Sequence, residues 1–230
     1  MGKLNLLGIE GKRSEKLIAT LAQGRVSVIF DVGANRGQSI LRFRSVFPSA
    51  KIFSFEPVSK TYKLLNNRFD HAPSVFLFNL ALSDKNTRGL VTCNSTSTGN
   101  RVLGEGVDSA DAEDALLVTG DSFCESNGID SIGVLKIDTE GHDFKVLEGF
   151  MGMLSSGRVK FIEVEASLSL ENRKHVYFLE FVKYLNGFGY RLLGLFEQTI
   201  DLDKGELRRA NLLFCSTAVS TSIASPLQNI

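Results

Sequence analysis

The chain has 230 residues, of which 43% are hydrophobic, and this suffices for one domain with a substantial core. Lys and Arg together number 26, as do Asp and Glu, so no overall charge favours binding to nucleic acid or to an anionic membrane. No stretch is apolar over the roughly 18 residues that a membrane-spanning helix needs. We therefore expect neither nucleic acid nor membrane as a partner.

The N-terminal sequence MGKLNLLGIEGKRSEK lacks the long apolar run of a signal peptide. The three cysteines are isolated and form no C-x-x-C pair, which is typical of reduced thiols. Both features predict a cytoplasmic protein.

Short runs rich in β-branched and aromatic residues alternate with helical patterns in the first part of the chain. This alternation is typical of βαβ units around a parallel sheet. The nearly all-apolar sequence VSVIFD predicts a strand covered by helices on both faces. In chain order, the predicted elements are a helix over Lys12–Gln23, a strand over Val26–Asp31, a helix over Gln38–Phe47 that Pro48 ends, a strand over Lys51–Glu56, a helix over Ser59–Phe69 and a strand over Ser74–Leu80.

The middle of the chain is less regular. Gly89–Cys93 and Ala115–Thr119 predict a hairpin, and the polar run Asn94–Asp114 predicts a long loop between its strands. A connection of this length is either a functional lid or a disordered segment, and the sequence favours neither.

Regular patterns return in the last part of the chain. The predicted elements are a strand over Ile132–Asp138, a helix over Asp143–Leu154 with Phe144, Leu147, Met151 and Leu154 inward, a strand over Val159–Glu165, a helix over Glu171–Asn186 with a solvated His175 near its start, and strands over Tyr190–Phe196 and Asn211–Thr217. We therefore expect an N-terminal helical extension over residues 1–25, one α/β domain over residues 26–219 and a flexible C-terminal tail over residues 220–230.

The heptad DVGANRG follows the first predicted strand directly and comprises Asp31, Gly33, Asn35 and Gly37 among its members. Ligands of open parallel sheets bind beyond the carboxyl ends of the strands, and glycines there permit a tight turn and a close approach of the backbone. The G-x-x-x-G spacing differs from the G-x-G-x-x-G of dinucleotide-binding folds. Because an acidic residue would repel a pyrophosphate, Asp31 favours a cationic or zwitterionic ligand. A plain strand–helix turn is the alternative.

Glu56 ends the second predicted strand, roughly 20 residues after the glycine loop. A carboxylate at this point can accept hydrogen bonds from both vicinal hydroxyls of a ribose. Together with the glycine loop, Glu56 predicts an adenosine-containing ligand.

The sequence NLALSD follows the third predicted strand. Leu80 and Leu82 are predicted to pack on the two sides of an adenine ring, and Asp84 to contact its exocyclic amine. A polar turn without a ligand role is the alternative for Ser83–Asn86.

The sequence LKIDTEGH contains Lys136, Asp138, Glu140 and His142 at the end of another predicted strand. Strand alternation places Lys136 and Asp138 on one face, and a lysine in a buried strand needs an acidic partner, either Asp138 or Glu140. The alternative is a structural ion pair beside a helix N-terminus.

These four motifs together resemble the FkbM family of S-adenosylmethionine (SAM)-dependent methyltransferases over about Val26 to Glu165. Asp121 also matches an aspartate that opens a short helix in the family. The resemblance implies a doubly wound α/β fold of the class I methyltransferase type, with a mostly parallel, seven-stranded Rossmann-like sheet, an N-terminal helix and an inserted hairpin. It implies SAM as the cofactor and O-methylation of a sugar or other small molecule. The cofactor-binding residues are then Asp31, Gly33, Asn35, Gly37, Glu56, Leu82, Asp84 and Asp138.

Methylation of a hydroxyl requires a group that removes its proton or a metal that acidifies it. His142 is the first candidate for the base, because its unperturbed pKa lies near 6.5. The second candidate base is a carboxylate of Asp138 or Glu140, whose pKa would be raised by crowding between the two, with Lys136 as electrostatic support. The same two carboxylates, together with waters, would suit Mg²⁺, so metal use is left open. If these residues do not act, Glu163 and Glu165 are next.

Two other functions remain in competition at this point. A non-catalytic nucleotide-binding scaffold would keep the glycine loop and Glu56 but would not need the second acidic cluster. A nicotinamide-dependent oxidoreductase would carry G-x-G-x-x-G and a Y-x-x-x-K pair, and the sequence has neither. Assembly into a homo-oligomer is left open.

Overall fold

The structure is a computed structural model that describes residues 13–93, 100–103, 111–172 and 174–219. Its helices are α1 Ser14–Leu21, α2 Gln38–Val46, α3 Ser59–Phe69, α4 Gly120–Ser126, α5 Asp143–Glu148, α6 Met151–Ser155 and α7 Phe178–Gly187. Its strands are β1 Val28–Val32, β2 Lys51–Phe55, β3 Val75–Phe78, β4 Ala81–Ser83, β5 Thr87–Thr92, β6 Ala112–Thr119, β7 Ile132–Ile137, β8 Val159–Ser167, β9 Tyr190–Asp201 and β10 Glu206–Ser216.

The main sheet has seven strands in the order β3-β2-β1-β7-β8-β10-β9. Strands β3, β2, β1, β7 and β8 pair in parallel, whereas β10 is antiparallel to both of its neighbours. The strand order reverses between β1 and β7, and open sheets of this kind bind ligands at such a reversal. The predicted doubly wound fold with a mostly parallel, seven-stranded sheet is confirmed.

A smaller sheet contains β4, β6 and β5. Strands β5 and β6 pair antiparallel from Thr87 with Leu117 to Thr92 with Ala112, so the predicted hairpin is confirmed with longer strands. Strand β4, which follows β3 directly in the chain, pairs in parallel with β6 of the hairpin. The small sheet therefore stands beside the carboxyl ends of β2 and β3.

Apolar side chains cover both faces of the main sheet. On β1, Phe30 and Val32 belong to one core cluster and Ile29 belongs to the other. Strand β7 is buried over its whole length, as expected for a central parallel strand. Helix α1 adds Ile18, which is fully buried, to the second cluster.

The predicted helix over Asp143–Leu154 is wrong, because it consists of two short helices, α5 and α6. The Gly149 carbonyl accepts a hydrogen bond from the Asp121 backbone N–H, and the Asp121 carboxylate accepts the backbone N–H groups of Gly152 and Met153 at the start of α6. A side chain from α4 thus caps a new helix at this point. The predicted inward orientation of Met151 is also wrong, because its side chain is half exposed.

The predicted helix start at Glu171 is also wrong, since α7 begins at Phe178. The segment before it pairs with the end of β8: Ser167 forms a bridge with Tyr177, and its backbone N–H donates to the Val176 carbonyl. This pairing buries His175, which is 7% exposed and not solvated as predicted.

No helix in the described ranges is long and apolar enough to cross a membrane. The predicted division into residues 1–25, 26–219 and 220–230 stays a prediction. Residues 1–12 and 220–230 lie outside the described residues.

Candidate functional site

The glycine loop turns sharply between β1 and α2 because three of its residues have positive φ. These are Gly33 at 83°, Asn35 at 49° and Gly37 at 79°. A Cβ on Gly33 would lie 2.0 Å from the Asp138 carbonyl oxygen, and one on Gly37 would lie 2.3 Å from the Phe69 ring. Both glycines are therefore required by the packing of the protein itself, beyond any approach to a ligand.

Glu56 follows β2 and fixes the glycine loop. One of its carboxylate oxygens accepts the Asn35 backbone N–H at 3.0 Å, and the other accepts the Val58 backbone N–H at 3.0 Å. Asn79 holds the same turn by donating to the backbone carbonyls of Glu56 and Pro57. Glu56 is 6% exposed, and burial raises its pKa to about 7 even though the two N–H bonds favour the ionised form.

Three charged side chains form a row across the centre of the sheet. The strand register pairs Asp31 of β1 with Lys136 of β7, and Lys136 in turn with Glu163 of β8. The Lys136 ammonium lies 3.5 Å from an Asp31 oxygen and 3.3 Å from an Asp138 oxygen. Asp31 also accepts a 2.6 Å hydrogen bond from the Ser39 hydroxyl at the start of α2. The predicted pairing of Lys136 with Asp138 is confirmed, and Asp31 is a second partner that the sequence did not indicate.

This row keeps Lys136 charged. Burial by itself lowers the pKa of Lys136, but the carboxylates of Asp138, Asp31 and Glu163 outweigh it and raise the pKa above its ordinary value. Lys136 is therefore an ammonium at neutral pH and holds Asp138, whose side chain is 40% exposed, at the end of β7.

His142 takes part in a polar chain that runs along β4. The Ser83 hydroxyl lies 2.9 Å from His142 Nε2 and donates to Asp84 at 2.9 Å, and Asp84 accepts a 2.9 Å hydrogen bond from Lys145. Because the single Ser83 proton goes to Asp84, Nε2 of His142 must donate to Ser83, which leaves the lone pair on Nδ1. Burial lowers the pKa of His142, so its ring is neutral at neutral pH.

Glu140 and Glu165 lie apart from that chain. Glu140 forms an ion pair with Lys174 at 2.7 Å. Glu165 accepts a 2.5 Å hydrogen bond from Arg209 and lies 3.3 Å from the His175 ring. Glu163 is 2% exposed and accepts hydrogen bonds from Ser14 and Asn211. Of the two glutamates predicted to act if the first candidates do not, Glu165 lies beside Glu140, whereas Glu163 is buried within the sheet.

A cavity of about 250 Å³ opens at the carboxyl ends of β1, β2 and β7. The backbone at Gly33 and the side chain of Glu56 form one wall, and apolar residues, among them Leu82, form another. Gln38, Ser39, Arg42 and Glu197 line the end near Lys136. The sequence reading missed these four, although Gln38, Ser39 and Arg42 share the first turns of the helix that follows the glycine loop. The predicted site residues that line the cavity are Gly33, Asn35, Glu56, Leu80, Leu82, Lys136, Asp138, Glu140 and His142.

Asp31, Gly37 and Asp84 are absent from the cavity lining in the described part of the chain. Asp31 lies behind the loop and holds Ser39 and Lys136, so it acts on the site through them. Gly37 packs against α3. The Asp84 carboxylate accepts hydrogen bonds from Lys145 and Ser83 outside the cavity lining, and its predicted contact with adenine stays a prediction.

Part of the long polar run also reaches the cavity. Of Asn94–Asp114, residues 94–99 and 104–110 lie outside the described residues. Within residues 100–103, the Arg101 carbonyl accepts the Thr92 backbone N–H and the Arg101 backbone N–H donates to the Thr92 hydroxyl. Val102 forms a bridge with Val91. Asn100, Arg101 and Val102 line the cavity. This placement agrees with the lid prediction for the run without testing it.

The fold defines an α/β protein with a cavity at the reversal of its strand order. The family profile described as the methyltransferase FkbM domain matches residues 31–192, which is most of the chain. The chain belongs to the FkbM methyltransferase family, as the sequence motifs predicted.

Two relatives with known names are similar to the chain at low sequence identity. The chain is 26% identical over 144 residues to the hexuronic acid methyltransferase AglP of Haloferax volcanii, covering 61% of this chain and 57% of that protein. It is 25% identical over 170 residues to the 2-O-methyltransferase NoeI of Sinorhizobium fredii, covering 65% and 67%. The chain thus spans little more than half of the first relative.

Among solved structures, a putative tRNA (m1A22) methyltransferase from Streptococcus pneumoniae aligns with a TM-score of 0.50. Its sequence is 12% identical, and the alignment covers 89% of this chain and 70% of that one. At this identity the likeness shows the fold alone.

Proposed function

We propose that this protein is a SAM-dependent O-methyltransferase that acts on a hydroxyl of a sugar or of another small molecule. The observation that carries the proposal is the Glu56 carboxylate, buried at the wall of the cavity and fixed by the glycine loop through Asn35. Membership of the FkbM family and the two relatives, a hexuronic acid methyltransferase and a 2-O-methyltransferase, support the same reaction.

The cavity lining fits SAM in three places. A carboxylate has about four acceptor positions, so Glu56 can accept two ribose hydroxyls besides its two backbone N–H groups. Leu82, Leu80 and Val102 offer apolar surface for an adenine ring near Glu56. Asp138, exposed at the end of β7, offers a negative charge to the cationic part of the cofactor.

When bound, SAM supplies an electrophilic methyl group, and the acceptor hydroxyl must lose its proton during the transfer. His142 Nδ1 is our first candidate for the proton acceptor, because hydrogen bonding to Ser83 leaves the lone pair on that atom. Asp138 and Glu140 are the alternatives at the same end of β7. Lys136 is no candidate for the base because it stays protonated, and it instead orients Asp138.

The acceptor class rests on the relatives. The names of AglP and NoeI describe a hexuronic acid methyltransferase and a 2-O-methyltransferase. A sugar hydroxyl is thus the acceptor we expect here, and the nucleic-acid substrate of the structural neighbour is not carried over. A cytoplasmic location, the absence of a nucleic-acid partner and assembly into a homo-oligomer stay predictions of the sequence.

The first test is calorimetric titration of the full chain with SAM, S-adenosylhomocysteine and NAD⁺. We expect the first two to bind and NAD⁺ not to bind. Glu56→Ala removes an acceptor of two charge-assisted hydrogen bonds, each worth about 1.5–3 kcal/mol, so the affinity for SAM should fall at least about tenfold. Glu125→Ala, at an exposed glutamate of α4, is the matched control and should bind as the wild type does. Unchanged SAM affinity in a folded Glu56→Ala protein would overturn the assignment.

The second test separates an enzyme from a binding scaffold. Release of S-adenosylhomocysteine is measured with a panel of hexuronic acids and neutral pyranosides, and with bulk tRNA as a contrasting acceptor. Turnover with a sugar supports the proposal, whereas turnover with tRNA alone contradicts the acceptor class. SAM binding without turnover on any acceptor favours the scaffold.

A further inference from the structure

We propose that Glu140, Glu165 and His175 form a binding site for a divalent transition-metal ion, beside the cavity. One oxygen of each glutamate and one ring nitrogen of His175 all lie within 4.8 Å of one another. Three protein ligands with nitrogen and oxygen donors are typical of sites that keep a further coordination position open. Neither the family match nor the motifs place an ion here.

His175 is the main reason to expect a ligand. Its side chain is 3% exposed, and its buried Nδ1 has no hydrogen-bond partner among the described residues. Nδ1 lies 3.3 Å from a Glu165 oxygen, but the geometry is not that of a hydrogen bond. Leaving a buried polar atom unpaired destabilises the folded protein, and a bound cation would offset this cost.

Glu165 is arranged to present one oxygen to this nitrogen. It lies near the end of β8, where Arg209 of the neighbouring strand β10 holds its other oxygen at 2.5 Å. Arg209 thereby orients the carboxylate, as the outer partner of a metal ligand does. The remaining oxygen faces His175.

The backbone turn after β7 carries Glu140 towards the same point. Glu140 has φ of 56° and the following Gly141 has φ of 100°, so the chain reverses sharply here. The fully buried Asp143 carboxylate accepts the backbone N–H groups of Thr139 and Gly141 and fixes the turn. A non-glycine residue with positive φ is strained and persists only where its surroundings hold it.

Lys174 occupies the outer side of the cluster in this structure. Its ammonium lies 2.7 Å from the Glu140 oxygen, but its side chain is 49% exposed and can turn into solvent. A metal ion would take its place on Glu140. The alternative is that these groups form a structural ion-pair network without a metal.

The donor set selects the kind of ion. Imidazole suits zinc and its neighbours, and carboxylates suit manganese and magnesium, so one nitrogen with two oxygens favours Mn²⁺ or Zn²⁺ over Mg²⁺. Bonds of about 2.0–2.2 Å keep ligand atoms within about 4.4 Å of one another, which is close to the 4.8 Å within which these three atoms lie. Since Glu140 also lines the cavity, the ion would border the acceptor; this consequence rests on the proposed function.

The test is a titration of the full chain with Mn²⁺, followed by electron paramagnetic resonance, with Zn²⁺ as competitor. We expect one saturable site that Zn²⁺ empties. Glu165→Gln and His175→Gln should each weaken Mn²⁺ binding at least about tenfold, because the first removes the negative charge of a ligand and the second removes the imidazole nitrogen. Glu171→Gln, at an exposed glutamate that pairs only with Lys204 among the described residues, is the matched control and should leave binding unchanged.

The proposal is overturned if the wild type shows no saturable binding below about 1 mM, or if both ligand variants bind Mn²⁺ as the wild type does. Should those variants fail to fold, Lys174→Met provides a separate test. It removes a competing, half-exposed ion pair and should tighten Mn²⁺ binding about threefold. Unchanged affinity would then overturn the proposal. SAM binding is measured on the same samples, so failure of the metal site is distinguishable from failure of the proposed function.

Discussion

SAM binding should strengthen as the pH rises through 7, because Glu56 must be ionised to accept both ribose hydroxyls. Burial is the largest cause that raises the pKa of Glu56 to about 7, and the charges of Asp31 and Glu113 act in the same direction. The two backbone N–H bonds oppose this shift only in part. A ligand that prefers the carboxylate therefore lowers the pKa of Glu56 and releases a proton on binding.

The magnitude follows from this pKa. With a pKa of about 7, Glu56 is ionised to roughly one tenth at pH 6 and to roughly nine tenths at pH 8. The affinity should therefore rise on the order of tenfold over this interval, which is about 1.4 kcal/mol.

The assay is calorimetry at pH 6, 7 and 8 in two buffers that differ in ionisation enthalpy, which reports the protons released. Glu56→Gln keeps the size of the side chain but cannot ionise, so it serves as the control for titration of SAM itself. The reasoning is refuted if the wild-type affinity is constant from pH 6 to pH 8, or if Glu56→Gln shows the same pH dependence and proton release.

Four further predictions concern stability, the lid and the base. The folded-state pKa of Glu56, about 7, lies above its ordinary value of 4.5, so between these pH values the folded state binds more protons than the unfolded state. The ligand-free protein should therefore lose stability as the pH rises from about 4.5 to about 7. Denaturant titrations over this pH range check this, and the same pH dependence of the unfolding free energy in wild type and Glu56→Gln would contradict it. Gly33→Ala should destabilise the protein far more than Gly128→Ala, since both have positive φ but only at Gly33 would the added Cβ lie 2.0 Å from a carbonyl oxygen; similar thermal unfolding of the two would argue against the packing role. Limited proteolysis should cut within Asn94–Asp114 in the free protein, and cofactor with acceptor should protect it; equal cleavage in both states would speak for disorder. His142→Ala should lower turnover by about a hundredfold while SAM binding stays within a few-fold, and near-normal turnover in both His142→Ala and Asp138→Ala would move the proton transfer elsewhere.

Local periodicity predicted most of the parallel sheet correctly. Strand β1 could be read from its continuous apolar run, and Glu56 from its place at the end of the next such run, because burial on both faces leaves a strong local signal. The glycine loop was located for the same reason. Its two glycines, however, are needed because a Cβ there would clash with Asp138 or Phe69. Both residues are distant in sequence, so no local pattern predicts these contacts.

The misplaced elements depend on contacts between distant segments. The break between α5 and α6 needs the Asp121 carboxylate of α4, and the late start of α7 needs the pairing of Ser167 with Tyr177. The Asp31–Lys136 ion pair depends on the register of β1 and β7, which no local pattern encodes. His175 was misjudged because its burial follows from the same pairing beside β8.

A crystal structure of the full chain with S-adenosylhomocysteine tests the proposed site most directly. We expect the ribose hydroxyls to contact the Glu56 carboxylate, the adenine ring to lie against Leu82 and Val102, and the sulfur to lie at the end of β7 near Asp138. A nucleoside bound away from Glu56, or a cavity that stays empty at saturating ligand, would contradict the proposed function.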